Sequence, residues 1–179
     1  MLDNTLIALI ISTILAGETT AGISGTPLLQ AFQPTATGVN SIPTAYIHKI
    51  SDRRVGSPYR SDVWDSINLV MTHTELQQYE TVFQFSALAR QFPSTPSAYT
   101  ASDILNLIAS ILSSSIAIAA FEAQGVGIMR IMDIRNPYFD DDKGQNEANP
   151  SFDAIFSHKQ IITSTTNIVA TQIINVTEI

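Results

Sequence analysis

The chain has 179 residues, enough for one hydrophobic core and too few for two comfortable ones. Only 14% of them are charged, against about 25% in ordinary globular domains, so uncharged side chains or partner subunits must cover much of the surface. A net charge of −7 with 9 scattered basic residues excludes tight gripping of nucleic acid by one copy, and the absence of cysteine excludes disulfides, thiolate metal centres and cysteine nucleophiles.

The first expected helix covers residues 4–15. Asp3, Asn4 and Thr5 supply N-cap candidates, and Leu6, Leu9, Ile10, Thr13 and Ile14 share one face, with Gly17 as the stop. Ile7 and Ile11 widen the apolar arc, which calls for deep burial or a second contact with a neighbouring subunit. This apolar run is too short to span a bilayer, and no Lys or Arg precedes Lys49 as a secretory signal would require. The expectation is a soluble, intracellular protein with no membrane partner.

Residues 18–43 are rich in Gly, Thr, Pro, Ser and Asn, and read as an extended connection with a short strand near Leu28 to Phe32. Residues 45–50 are a strand candidate. Residues 51–62 read as a hairpin-like loop that carries Arg53, Arg54 and Arg60. A strand pattern resumes over 63–72, where Trp64, Ile67, Leu69 and Met71 are available for packing. The long strand at 76–88 alternates with a period of two: Tyr79, Thr81, Phe83, Phe85 and Ala87 on one side, Glu80, Val82, Gln84 and Ser86 on the other.

Pro93 and Pro96 end that strand. Thr100 and Asp103 then have the spacing of a capping box, and Ile104, Leu107, Ile108, Ile111, Leu112, Ser115 and Ala119 carry a helical stripe toward a Gly125 cap. Ser113, Ser114 and Ser115 weaken this second helix without interrupting it. A strand follows over 126–135 and stops at Asn136-Pro137, before a hydrophilic loop at 140–150. Two β-branched runs, 152–163 and 167–176, close the chain, joined by Ser164, Thr165 and Thr166. The last run, with residues 164–179 as a whole, is a candidate arm for a neighbour's sheet edge. The order predicts one α+β domain over residues 1–179, a mostly antiparallel sheet with two main helices on one face.

No catalytic, cofactor-binding or metal-binding residue emerges. His48, His73 and His158 stand far apart, and Gly22-Ile-Ser-Gly25 has the wrong spacing for a nucleophile turn. The run Asp140-Asp141-Asp142-Lys143-Gly144 fails as a calcium loop, because glycine falls at the fifth position instead of the sixth. Arg53, Arg54 and Arg60 could meet the acidic residues Asp140 to Asp142 of a neighbouring subunit. A small ligand-binding module would instead gather His48, His73 and Glu80 around a cavity.

The strand ending Phe85-Ser-Ala-Leu-Ala-Arg-Gln91, the helix start Thr100-Ala-Ser-Asp-Ile-Leu105, Ile134-Arg-Asn-Pro-Tyr-Phe-Asp140 and Pro150-Ser-Phe-Asp153 come in an order that resembles the tail-terminator, or neck-terminator, proteins of tailed bacteriophages. That resemblance implies a non-enzymatic virion protein, assembled in the host cytoplasm as a homohexameric ring. The ring would cap the tail tube, end its polymerisation and join it to head-completion or neck connector proteins. DNA would pass through its centre without sequence-specific binding, and no cofactor would be needed. A tube subunit or another connector is the alternative within the same group of folds.

Overall fold

A computed structural model describes residues 1–22, 26–30, 43–89, 94–95, 97–140, 146–148 and 150–167. Helix α1 (Asp3–Thr20) is followed by strands β1 (Leu28–Gln30), β2 (Thr44–Asp65) and β3 (Val70–Leu88). Helices α2 (Ala101–Leu112) and α3 (Ser115–Glu122) come next, then β4 (Gly127–Ile131), β5 (Tyr138–Asp140), β6 (Asn146–Ala148) and β7 (Ser151–Asn167). Five strands make one sheet in the order β1-β2-β3-β7-β4, and β5 pairs with β6 as a separate ribbon. Only β1 runs parallel to its neighbour, so the sheet is mostly antiparallel as the pattern predicted.

The period-two alternation in β3 places the core where expected. Thr81, Phe83, Phe85 and Ala87 are buried on the face that also receives Phe152, Ala154 and Phe156 from β7. The rings of Phe85 and Phe152 stack at 4.9 Å, and Phe156 meets both Phe83 and Phe121 edge-on. Leu6, Ile10 and Ile14 of α1 and Ile104, Leu105, Ile108 and Leu112 of α2 close this layer. Each such side chain contributes about 1.5–3 kcal/mol when fully removed from water, so the layer anchors everything that projects from it.

Several local expectations need correction. Helix α1 does not stop at Gly17 but runs to Thr20. A Cβ at position 17 would lie 2.3 Å from Cγ2 of Ile111, so the missing side chain lets α1 and α2 cross closely. Asp3 does not cap α1, whose N-cap is Leu2 with no side-chain cap; its carboxylate accepts from Lys49 Nζ at 2.7 Å instead. The capping box of Thr100 and Asp103 forms as predicted. The serine run, however, breaks the helix: Ser113 ends α2, Ser114 accepts from the amide of Ala117 to start α3, and the axes diverge by 57°. Gly125 takes a positive φ of 69° and closes α3, with the amide of Val126 reaching the carbonyl of Phe121.

The largest departure lies between residues 51 and 72. No hairpin loop exists at 51–62; β2 is one strand of 22 residues, and it pairs with β3 down to Asp65 opposite Val70. The turn formers Gly56, Ser57 and Pro58 make a bulge between Val55 and Tyr59. Gly56 has φ 67°, and Gln77 Nε2 donates to the carbonyls of Val55 and Gln78 across the irregularity. The true turn is at Ser66–Leu69, inside the strand predicted at 63–72.

The short strand near Leu28 is present as β1. Residues 31–42 and the predicted strand stops Pro93 and Pro96 lie outside the described residues. Residues 164–167 belong to β7 and pair with β3, so no arm begins at 164, and 168–179 lie outside the described residues. Strand β6 lies inside the loop predicted at 140–150 and pairs with β5, so that segment is in part a ribbon; 141–145 and 149 lie outside the described residues. Among the described residues no single helix is long and apolar enough to cross a membrane.

Candidate assembly surface

Beyond the helices the sheet continues as a bare apron made from the outer halves of β2, β3 and β7. Every fully buried residue of these strands belongs to 44–47, 81–88 or 152–158, and none lies further out. From Glu80 to Val70 the apron extends about 33 Å at the usual rise per residue. Both its lateral edges are unpaired among the described residues, since β1 covers only Ala45 to Ile47 of β2 and β4 covers only Ala154 to Ser157 of β7. Unpaired edges of this length invite other strands, and soluble proteins normally blunt them.

The two apron faces differ in chemistry. Directly opposed residues share a face, and the β3–β7 register runs without a bulge from Val70 to Ser86. On the helix side lie polar cross-strand rows. Arg60 pairs with Glu75 at 2.9 Å, and Arg54 sits 6.0 Å over the Tyr79 ring. Asp62 contacts Nδ1 of His73 at 2.7 Å, while Nε2 of His73 lies 3.0 Å from Thr166 Oγ1.

On the far side, Tyr59, Leu76 and Ile161 stand in one row across all three strands, followed outward by Val63 and a series of threonines. Tyr59 is 65% exposed and Ile161 60%. From Leu76 to the hairpin end this far face has one charge, Asp65, which is engaged in the turn. The side that is apolar in the core thus carries the charge pairs of the apron, with Ile162, Trp64 and Met71 among them, whereas the far side is nearly uncharged. An uncharged face with exposed apolar side chains suits a sheet that is covered on assembly.

At the inner end of the apron lies a buried polar cluster. Thr81 Oγ1 donates to Asp52 at 2.7 Å, so Nε2 of His158, 2.9 Å away, donates to Thr81. Tyr79 stacks on the His158 ring at 5.8 Å, and Nδ1 of His158 is buried without a partner. Burial pushes the His158 imidazole below its ordinary value, which keeps it neutral. Glu18, in the last turn of α1, is also buried with Oε1 unpartnered, and burial raises its carboxyl.

These arrangements assemble no reaction centre. His48 opposes Gln84 while His73 opposes Asp62, eleven residues further along β3, so the cavity of His48, His73 and Glu80 is not formed. The Asp62–His73–Thr166 row has the order of a nucleophilic relay. Its members nevertheless sit on paired strands, without the helix N-terminus or turn that supplies free amides to an oxyanion. Among the described residues no group of three or more His, Asp or Glu side chains could hold a metal ion. Arg53 and Arg60, expected to reach a neighbour's acidic loop, are held within the chain by Glu80 and Glu75. Trp64, Ile67 and Leu69, read as strand packing, are exposed at the apron tip. The sequence signal that could have found this is Asp65 with Asn68, a side-chain-stabilised turn.

Comparison with known proteins agrees with this architecture. No curated protein matches the chain. Among solved structures, the sheath/tube terminator of PVC, an extracellular contractile injection system, in its extended state, superposes with a TM-score of 0.53 at 7% identity. The match covers 100% of this chain and 64% of that one, so this chain spans under two thirds of its length. It shows a shared fold, that of a tube terminator, and bears out the α+β reading. The family model described as "E217 gateway protein gp29" matches residues 5–168, most of helix α1 and the whole apron included. The resemblance read from the sequence therefore holds: the chain belongs to the phage E217 gateway protein gp29 family.

Proposed function

We propose that this protein is a tail terminator: a homohexameric ring that caps the tail tube, ends its polymerisation and joins it to head-completion or neck proteins. The observation that carries this reading is the apron with two unpaired edges. Strands β2 and β7 both run toward the hairpin end, so the β7 edge of one copy fits the β2 edge of the next in parallel. Six copies contribute 18 strands. At about 4.8 Å per strand and a tilt near 40° these close a barrel about 35 Å across between backbones, leaving about 25 Å after side chains. A channel of that width admits a DNA duplex, and the carboxylates of Glu80 and Glu75 that pair with Arg53 and Arg60 weaken any grip of the wall on phosphates.

Light scattering with negative-stain imaging tests the ring. Six copies of 19.5 kDa give about 117 kDa, with an open centre expected, and the protein is expected to stop the growth of tail tubes when added to them. Rings that stack into long tubes by themselves would identify a tube subunit instead. A compact monomer that fails to bind tail tubes would overturn the reading.

A further inference from the structure

The tip of the β2–β3 hairpin combines two independent oddities. Ile67 is 89% exposed, Leu69 52% and Trp64 42%, so three large apolar side chains point into solvent at the farthest point from the core. Leu69 also has a positive φ of 53°, unlike every other non-glycine residue described. Asn or Gly would adopt that conformation without strain. A branched side chain kept at a strained, exposed position is therefore not there for the fold.

The tip also presents no available charge. Asp65, the sole ionisable group between Val63 and Thr72, accepts from the amides of Ile67 and Asn68 and from Asn68 Nδ2. These bonds hold the turn and lower its carboxyl below the ordinary range. A surface of indole and branched aliphatic groups with its carboxylate occupied fits an uncharged apolar cleft and little else.

We propose that Trp64, Ile67 and Leu69 form a plug by which the protein docks into an apolar cleft on the end of the tail tube, an assignment that rests on the terminator reading. A second copy of the chain is the poorer occupant. Tips of one ring seated on the base of another make a head-to-tail contact that does not close and grows into filaments. The tube end is the contact that a tube terminator requires, and the tips form one rim of the ring. The hairpin end of the ring accordingly faces the tail, and the helix-covered end faces the head.

The test uses the full-length protein and tail tubes prepared from the phage that encodes it, with Ile67→Ser and Leu69→Asn as separate variants. Wild type is expected to bind the tube ends, and each variant to lose about tenfold or more in affinity while keeping the wild-type oligomeric mass. Leu69→Asn is expected to unfold at the same temperature as wild type or higher, because it relieves the turn. Variants that bind like wild type overturn the plug and leave the terminator reading standing, as does a Leu69→Asn protein that melts lower. Wild-type protein that ignores tube ends overturns both.

Discussion

Replacing Gly17 with Ala probes the helix crossing that anchors the apron. In an ordinary helix interior the change stabilises by about 1 kcal/mol. Here the new Cβ would fall 2.3 Å from Cγ2, 3.1 Å from Cγ1 and 3.2 Å from Cβ of Ile111. Ile111 is β-branched, stiff at χ1 and only 7% exposed, so it has no free rotamer to retreat into. Overpacking of this kind costs about 1–3 kcal/mol, and contact close to the backbone places it near the upper end. The net expectation is a loss of about 1–2 kcal/mol, or a fall of about 2–8 °C in Tm for a chain of this size. Chemical denaturation of Gly17→Ala, Ile111→Ala and the double variant measures it directly. The double variant should recover about 1 kcal/mol relative to the sum of the singles, because truncating Ile111 removes Cγ2 and Cγ1, the two carbons nearest the new Cβ. A Gly17→Ala protein as stable as wild type would refute the crossing and restore Gly17 to the role of a simple helix stop.

Three further outcomes are expected. Glu18→Gln should raise stability at neutral pH. A carboxyl whose folded pKa is raised costs stability once pH climbs above its unfolded value near 4.5, so the gain should disappear in melts run at pH 4. His158 has the opposite sign: its folded pKa is depressed, so wild type should lose stability as pH falls below about 6.5, and His158→Gln should flatten that part of the pH–stability curve. Ser114→Ala removes the cap that starts α3 and should cost about 1 kcal/mol in thermal unfolding, while Ser113→Ala, at the preceding C-cap, should cost less.

Local sequence carried the core well and the apron poorly, for a physical reason. Phe83, Phe85 and Thr81 alternate because one face of β3 is buried, and the Thr100–Asp103 capping box is a chemistry of neighbours in sequence. The outer halves of β2 and β7 have no such contrast, since within one chain neither of their faces is buried. There Gly56-Ser57-Pro58 read as a turn, although the β3 partner and the side chain of Gln77 hold it as a bulge in a continuous strand. Gly17 failed for a related reason. Whether a glycine ends a helix or lets another helix approach depends on Ile111, 94 residues away in the chain. The arginines behaved likewise: Arg53 and Arg60 find Glu80 and Glu75 only through a register that a loop assignment had erased.

Among the described residues the sheet is five strands wide where the helices cover it and three strands wide at the hairpin end, because β1 and β4 stop short of the apron. Each copy is therefore a wedge, and a closed ring of wedges is a funnel with unequal mouths. A tube can grow by repetition only if the top of each layer matches the bottom of the next, strand for strand. In the proposed ring the narrow mouth would offer three strands per copy and the wide mouth five, so a second identical layer would find no matching rim. The taper by itself would make this protein the last layer of any stack it joins, without a separate blocking group.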